Sequence, residues 1–139
     1  MAIVHLLAHF DDEYAALPLI EARRDQDQWF LYVADYATPA LAAARLAETR
    51  VLLAGLGLDP GRAVFLESGV PDGGLHRDPA RVMAAISRGV AALPTVDRLV
   101  CAAWEGGHQD HDVCAAAAVR LARDLPGRPP IDQFPLYHG

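Results

Sequence analysis

The stretch IVHLLA at residues 3–8, followed by HFDDE at residues 9–13, decides how the rest of the chain is interpreted. The first part is apolar apart from His5, which is typical of a strand buried on both faces of a parallel sheet. The second part places one histidine beside three consecutive acidic residues. Carboxylates packed at the edge of a core are destabilising unless a positive group lies among them. The pattern therefore predicts a buried strand that ends in a cation site, with His5 as a structural residue within the strand.

Four further strand-like runs alternate with helical patterns along the 139 residues. The predicted strands cover residues 3–8, 29–34, 63–67, 98–104 and 133–137. The predicted helices cover residues 13–24, 39–55, 79–93 and 113–125. Strands that alternate with helices imply right-handed crossovers. We therefore predict a single α/β domain over residues 1–139, with a Rossmann-like, mostly parallel sheet and helices on both faces.

Composition excludes several classes of partner. The formal net charge of -6 gives no basic footprint for nucleic acid. No apolar stretch approaches the roughly 20 residues that a membrane helix needs, and the first residues lack the basic start of a signal peptide. We therefore expect a cytoplasmic protein without membrane insertion. In that compartment Cys101 and Cys114 are expected to be reduced core residues.

Two polar groups follow the first and fourth predicted strands. His9 and Asp12 come directly after the first strand, and the second group, WEGGHQDH, covers residues 104–111. Ligands of open parallel sheets bind outside the carboxyl ends of the strands, so we expect these groups to meet at one crevice. His9, Asp12 and His111 form a nitrogen and oxygen ligand set that Zn²⁺ accepts, with a fourth position left for water. Other divalent first-row ions also suit such a set.

The residues beside these ligands are suited to hydrolysis. A bound metal lowers the pKa of water from about 15.7 to about 7, so Asp11 can accept the proton that this water releases. His108, one turn before His111, can stabilise an oxyanion or donate a proton to a leaving amine. Asp110 can orient one of the histidines, as outer carboxylates often do. The arrangement predicts metal-assisted hydrolysis.

Both motifs also resemble those of a known family. AHFDDE at residues 8–13 resembles the Ala-His-Pro-Asp-Asp-Glu motif, and HQDH at residues 108–111 resembles the His-Pro-Asp-His motif, of the LmbE-like or PIG-L family. Members are zinc-dependent deacetylases that act on N-acetylglucosamine groups and are built on a Rossmann-like sheet. The resemblance implies His9, Asp12 and His111 as metal ligands, Asp11 as the general base, and His108 as the acid or oxyanion stabiliser with Asp110 as its partner. Glu13 matches the family's glutamate and is expected to support the amino terminus of the following helix.

The sequence departs from the family pattern in three places. Phe10 and Gln109 stand where the family usually has proline, which affects the geometry of the two turns more than the ligands. In GVPDGGL, at residues 69–75, Asp72 matches an Asp-Gly stretch and is expected to bind substrate, but Pro71 stands where some members carry a substrate-binding arginine. Family members also continue well beyond the second motif. We therefore expect either a fragment or a pocket that another chain completes, for example in a homo-oligomer.

These observations favour removal of an N-acetyl group from an amino sugar or an N-acetylglucosamine-containing glycoconjugate. Trp104 is a further candidate for substrate binding, since an indole can stack on a sugar face, but it can equally pack against the core. Two alternatives remain open from the residues alone. One is a noncatalytic Rossmann-like module that binds a sugar or nucleotide, and the other is a hydrolase of a different N-acyl amide.

Overall fold

The computed structural model describes residues 1–136 and contains one five-stranded sheet, in which all neighbouring strands are parallel. The strands are β1 (Ala2–Leu7), β2 (Gln28–Tyr32), β3 (Ala63–Phe65), β4 (Val96–Ala102) and β5 (Ile131–Phe134). The helices are α1 (Glu13–Ala22), α2 (Pro39–Gly55), α3 (Pro79–Ala91) and α4 (Gln109–Asp124), with short 3-10 turns at Pro60–Arg62 and Leu75–Arg77. The predicted α/β class with a Rossmann-like sheet is confirmed.

The helices cover both faces of the sheet. Ala16 and Ile20 of α1 and Leu53 of α2 pack in one apolar cluster against one face. Helices α3 and α4 pack in a second cluster against the other face, through residues such as Val82 and Ala118. All six residues of β1 are buried, because this strand is central and is covered from both sides. Its almost uninterrupted apolar sequence follows from that position.

Side-chain caps begin two of the helices where the sequence predicts them. The Thr38 hydroxyl accepts a hydrogen bond from the backbone N–H of Leu41, and Pro39 occupies the first position of α2. The Asp78 carboxylate accepts from the backbone N–H of Arg81 at the start of α3. These caps satisfy N–H groups that have no partner within the helix.

The boundaries near the second motif differ from those predicted. Strand β4 ends at Ala102, so Trp104 lies beyond it and not within it. Helix α4 begins at Gln109, earlier than predicted, because the Nδ1 of His108 caps it by accepting from the backbone N–H of Asp110. Strand β5 covers Ile131–Phe134, and Tyr137, the last residue of the predicted strand, lies outside the described residues.

The strand order, β3-β2-β1-β4-β5, reverses direction at β1. The chain builds outward from β1 to β3 and then crosses to the other side of β1 to form β4. The carboxyl ends of β1 and β4 are therefore adjacent, with connections leaving in opposite directions, which is where open α/β sheets bind ligands. Cys101 and Cys114 are buried and unpaired. Within residues 1–136, every helix is too short or too polar to cross a bilayer.

Candidate metal centre

Six polar side chains meet at the carboxyl ends of β1 and β4, and we call them the histidine–aspartate cluster. Two overlapping groups within it have ligand atoms within 4.8 Å of one another. The cluster consists of His9, Asp12, Asp72, His108, Asp110 and His111. The first motif, the second motif and the loop before α3 all contribute to it, so the structure brings together the residues that the sequence predicts to converge.

The turn after β1 fixes the first two of these residues. The backbone N–H of His9 donates a hydrogen bond to Oδ2 of Asp12 at 2.9 Å, which turns the carboxylate back toward the strand end. Between them Asp11 has a φ of 85°, in the left-handed region that residues other than glycine rarely adopt. Strain of this kind persists where the surroundings enforce it, and it clusters at functional sites.

His111 completes a compact set with His9 and Asp12, which we call the ligand set. Nε2 of His111 lies 3.2 Å from Oδ2 of Asp12, and Nδ1 of His9 lies 3.7 Å from the same oxygen. The ring centroids of His9 and His111 are 5.2 Å apart. All three side chains are largely buried, with exposed fractions of 10–14%. Two imidazole nitrogens and one carboxylate oxygen in this arrangement are donors that zinc and other first-row ions accept.

Asp110 contacts His108 only through its backbone N–H, and its carboxylate contacts His9 instead. That carboxylate is fully buried and lies 2.7 Å from Nε2 of His9, while the backbone N–H groups of Gly73 and Leu75 donate to it at 2.6 and 3.1 Å. Asp110 begins α4 facing the end of β1 and the loop before α3, so these groups are the donors within its reach. Burial by itself would raise the pKa of Asp110, but these three hydrogen bonds lower it to about 2.

Negative charge dominates around His9. Its Nε2 lies 2.7 Å from Asp110 and 2.9 Å from Asp72, and its Nδ1 faces Asp12. Burial opposes protonation of His9, but the hydrogen bond to Asp110 and the charges of Asp12 and Asp72 outweigh it and raise the pKa. One imidazolium cannot balance three carboxylates, so the cluster favours an added cation.

The second group with converging ligand atoms is His9, Asp72, His108 and Asp110. Its buried member, Asp110, already accepts hydrogen bonds on both oxygens. With Nε2 of His9 donating to Asp110, the Nδ1 lone pair faces Asp12. Such a carboxylate–histidine pair is the usual support behind a metal-ligating imidazole. The ligand set is therefore the better site for an ion, and the Asp110 carboxylate orients the ring of His9 toward it.

His111 places Nε2, and not Nδ1, beside the Asp12 carboxylate. Its Nδ1 points away from the ligand set, is buried and has no hydrogen-bond partner among residues 1–136. The ligand set and its donor chemistry fit a divalent metal ion.

His108 lies beside the ligand set, with its ring centroid 5.1 Å from that of His9 and 4.8 Å from that of His111. Because Nδ1 of His108 accepts the cap hydrogen bond from Asp110, the ring proton is assigned to Nε2. A neutral imidazole with a proton on Nε2 is a hydrogen-bond donor. This geometry favours the role of oxyanion stabiliser over that of proton-donating acid.

Asp11 and Glu13 lie on the α2 side of the same turn. Asp11 is exposed and lines a cavity of about 230 Å³ with Arg45, and it is not among the residues whose ligand atoms converge within residues 1–136. Desolvation and the neighbouring Asp12 carboxylate raise the pKa of Asp11. The buried Glu13 carboxylate accepts hydrogen bonds from the Asp11 backbone N–H and the Tyr32 hydroxyl, each at 3.1 Å. Glu13 therefore holds the strained turn in place as well as beginning α1.

Phe10 uses the N–H group that a proline would lack. Its backbone N–H donates to the Tyr36 hydroxyl at 2.8 Å, and its ring packs 4.4 Å from the ring of Tyr32. The hydrogen bond and the aromatic packing together fix Phe10 at the turn. Tyr36 was not predicted to belong to the site, because only the parallel pairing of β1 with β2 brings it to this turn.

The two predicted substrate-binding residues lie in different surroundings. Asp72 is at the mouth of the cluster, with 56% of its side chain exposed and Oδ1 on Nε2 of His9. Trp104 is 65% exposed and lies outside the cluster, at a separate cavity between α3 and α4. The structure therefore brings Asp72, but not Trp104, into contact with the ligand set.

Comparison with known proteins identifies the fold only. No protein-family model matches the chain, and no curated protein matches it. Among solved structures, the chain is similar to the conserved protein TT1542 from Thermus thermophilus, with a TM-score of 0.62 and 24% sequence identity. The match covers 99% of this chain and 67% of that one. At this identity the likeness supports the architecture described above.

Proposed function

We propose that the protein is a metal-dependent hydrolase that removes an N-acetyl group from an amino sugar or an N-acetylglucosamine-containing glycoconjugate, as the resemblance to the LmbE-like or PIG-L family implies. The observation that carries this proposal is the meeting of His9, Asp12 and His111, whose ligand atoms lie within 4.8 Å although the chain separates Asp12 from His111 by 99 positions. The buried Asp110 behind His9 supports a metal-ligating role for that ring.

The proposed metal is zinc, because two imidazoles and one carboxylate leave a position open for water or substrate, as catalytic zinc sites do. Zinc held by the ligand set supplies Lewis acidity and lowers the pKa of water at the site. The chain's own groups then account for the other requirements of amide hydrolysis, which are a base, a donor to the oxyanion and a proton for the leaving amine.

Asp11 accepts a proton from the attacking water as the new C–O bond forms at the acetyl carbonyl. The Nε2 proton of His108 is available to the carbonyl oxygen as it gains negative charge. When the C–N bond breaks, the amine takes a proton, and Asp11 returns the one it accepted. The products are acetate and a free amino sugar. In this proposal Asp72, which is exposed at the mouth of the cluster, accepts hydrogen bonds from sugar hydroxyls.

The test combines metal analysis with amine release from N-acetylglucosamine conjugates. The zinc-loaded wild-type protein is expected to release amine. Asp11→Asn should lower turnover by about 100- to 10,000-fold, the range that general-base catalysis contributes, while the protein retains its metal. Asp97→Asn is the matched control, because Asp97 is exposed at the opposite end of β4. Full turnover in Asp11→Asn would refute the base assignment.

A panel of other N-acyl amines tests the substrate class. Release from N-acetylated amino sugars but not from N-acetylated amino acids supports the proposal. A zinc-loaded wild-type protein that releases amine from none of them would instead indicate a noncatalytic binding module.

A further inference from the structure

Tyr36 lies in the connection between β2 and α2 and is half-buried beside the turn after β1. Its hydroxyl oxygen accepts a hydrogen bond from the backbone N–H of Phe10 at 2.8 Å, and its ring stacks on that of Phe10 with a centroid distance of 5.3 Å. Phe10 directly follows His9 of the ligand set. The Tyr36 hydroxyl is therefore held beside the peptide group that joins these two residues.

The same connection is hydrogen-bonded to the loop that carries Asp72. The backbone N–H of Asp72 donates to the backbone carbonyl of Asp35, the residue before Tyr36, at 3.0 Å. The backbone N–H of Asp35 in turn donates to the carbonyl of Val70 at 2.8 Å. Oδ1 of Asp72 lies 2.9 Å from Nε2 of His9. Tyr36 and Asp72 are therefore neighbours, and both border the end of β1.

The Tyr36 hydroxyl has a proton to donate. A phenol can accept one hydrogen bond and donate another. Its oxygen accepts from Phe10, but within residues 1–136 no carbonyl or carboxylate accepts its proton. Burial raises the pKa of Tyr36 to about 12, and the carboxylates of Asp11 and Asp72 act in the same direction. The Asp72 side chain is 56% exposed, and its Oδ2 makes no hydrogen bond within the described chain. The mouth of the cluster thus presents a donor and an acceptor that these residues do not use among themselves.

A donor beside an acceptor matches a sugar hydroxyl, which accepts one hydrogen bond and donates another. The inference drawn from this match rests on the proposed hydrolase function, in which the amide nitrogen on carbon 2 of the sugar reaches the ligand set. In a glycoconjugate the oxygen on carbon 1 belongs to the glycosidic bond and carries no proton. The nearest free hydroxyl is therefore the one on carbon 3. Because Tyr36 and Asp72 border the strand end that carries His9, this hydroxyl is the group that they can reach.

We propose that Tyr36 is a substrate-binding residue that donates a hydrogen bond to the hydroxyl on carbon 3 of the sugar, while Asp72 accepts the proton of that hydroxyl. The pair selects amino sugars in which this group is free over those in which it is absent or substituted. A site built to bind a hydroxyl discriminates against the analogue that lacks it, because the polar groups of the site lose their partner. Tyr36 thereby sets specificity and takes no part in bond cleavage.

Binding is measured apart from hydrolysis, by isothermal titration calorimetry on the zinc-loaded Asp11→Asn protein, which lacks the proposed base. The ligands are the methyl β-glycoside of N-acetylglucosamine and its 3-deoxy and 6-deoxy analogues. We expect the 3-deoxy compound to have a Kd at least about tenfold above that of the parent, since it loses one hydrogen bond to a phenol and one to a carboxylate. The 6-deoxy compound, which retains both, should bind within about twofold of the parent.

Two variants, each made in the Asp11→Asn protein, make the test specific. Tyr36→Phe keeps the ring and should raise the Kd of the parent about 3- to 10-fold, but leave that of the 3-deoxy compound unchanged, because that compound offers Tyr36 no oxygen. Tyr32→Phe is the matched control. The Tyr32 hydroxyl supports the same turn through Glu13 but is fully buried, so any change should be equal for all three compounds.

Two results of this series would overturn the inference. One is a loss of affinity in Tyr36→Phe that is equal for all three compounds, because Tyr36 would then only support the turn. The other is a 3-deoxy compound that binds as tightly as the parent. Failure of the parent glycoside to bind at millimolar concentrations would overturn it as well.

The outcome is separable from that of the proposed function, which is tested by amine release with Asp11 intact. Amine release without any preference for the hydroxyl on carbon 3 would overturn the role of Tyr36 and leave the hydrolase intact. A preference that Tyr36→Phe removes, in a protein that releases no amine, would support Tyr36 as a binding residue and overturn the hydrolase.

Discussion

His5 and His9 belong to the same short segment of chain, one inside β1 and the other just beyond its end, yet their surroundings are opposite. His5 is fully buried, stacks on Phe30 with a centroid distance of 4.5 Å, and bonds to the side chain of Gln28 at 2.8 Å. Its pKa is lowered to about 4, mainly by burial. His9 lies among three carboxylates, and its pKa is raised.

The difference shows that the environment, and not the residue type, decides which histidine is available to a cation. Burial in the strand interior favours the uncharged form of His5 and outweighs the hydrogen bond to Gln28, which favours the charged form. The turn after the strand surrounds His9 with negative charge that only a cation balances.

The largest expected effect is on metal content. His9→Gln removes a member of the ligand set and should reduce the bound metal from about one ion per chain to almost none after dialysis, because three protein ligands are needed for tight binding. His5→Gln is the matched control and should retain the metal. Elemental analysis of the two dialysed proteins measures both. Metal retained by His9→Gln would place the cation elsewhere.

The second effect concerns stability in acid. The native pKa of His5, about 4, lies below the ordinary value of 6.5, so between these two values the unfolded chain binds a proton that the native protein does not. The lowered pKa of His5 contributes to the free energy of unfolding above pH 6.5, and this contribution is lost as the pH falls toward 4. The loss amounts to about 3 kcal/mol. Urea unfolding at several pH values should show a shallower acid limb for His5→Gln than for the wild-type protein, and parallel profiles would contradict this.

A third change weakens the support behind His9 without removing a ligand. Asp110→Asn replaces the carboxylate at Nε2 of His9 and should lower zinc affinity by about 10- to 100-fold, equivalent to about 1.4 to 2.7 kcal/mol. Competition with a chromophoric chelator measures the change. Asp124→Asn, at the exposed end of the same helix, should bind zinc like the wild-type protein. Equal affinities for all three proteins would show that Asp110 is only a structural residue.

The smallest effect is a gain in stability at the strained turn. Asp11 has a φ of 85°, so Asp11→Gly relieves backbone strain and should stabilise the protein by about 0.5 to 1 kcal/mol while it abolishes turnover. Arg128, with a φ of 46° and no part in the candidate site, provides the comparison. Arg128→Gly should give a similar gain with activity unchanged. Thermal unfolding of both variants and the wild-type protein measures the change in stability. A loss of stability in Asp11→Gly would argue against backbone strain at this turn.

Local patterns predicted the architecture well. The apolar run of β1 and the Thr38-Pro39 and Asp78-Pro79 caps are short-range signals, and the structure has a strand and two helices there. The ends of β4 and α4 were less predictable. They depend on a histidine cap, and histidine is not among the residues that usually begin helices.

The partners within the candidate site were only partly predictable. Parallel pairing of β1 and β4 was enough to bring His9 and His111 together. The partner of Asp110 was not predictable, because it depends on how closely the loop at Gly73 approaches α4. The position of Trp104 was not predictable either, because the cavity that it borders is formed by the packing of α3 against α4.

The spacing of the ligand set along the chain would also tie uptake of the proposed metal ion to the synthesis of the chain. Its first two members leave the ribosome early, but His111 lies 99 positions after Asp12. A nascent chain that lacks α4 therefore presents an incomplete chelate, and β4 must pair with β1 before the third donor arrives. If the proposed ion binds the native protein and not the disordered chain, its uptake would be coupled to the pairing of β4 with β1. The ion would then bind only molecules in which these two strands have paired, whether or not β5 has joined the sheet.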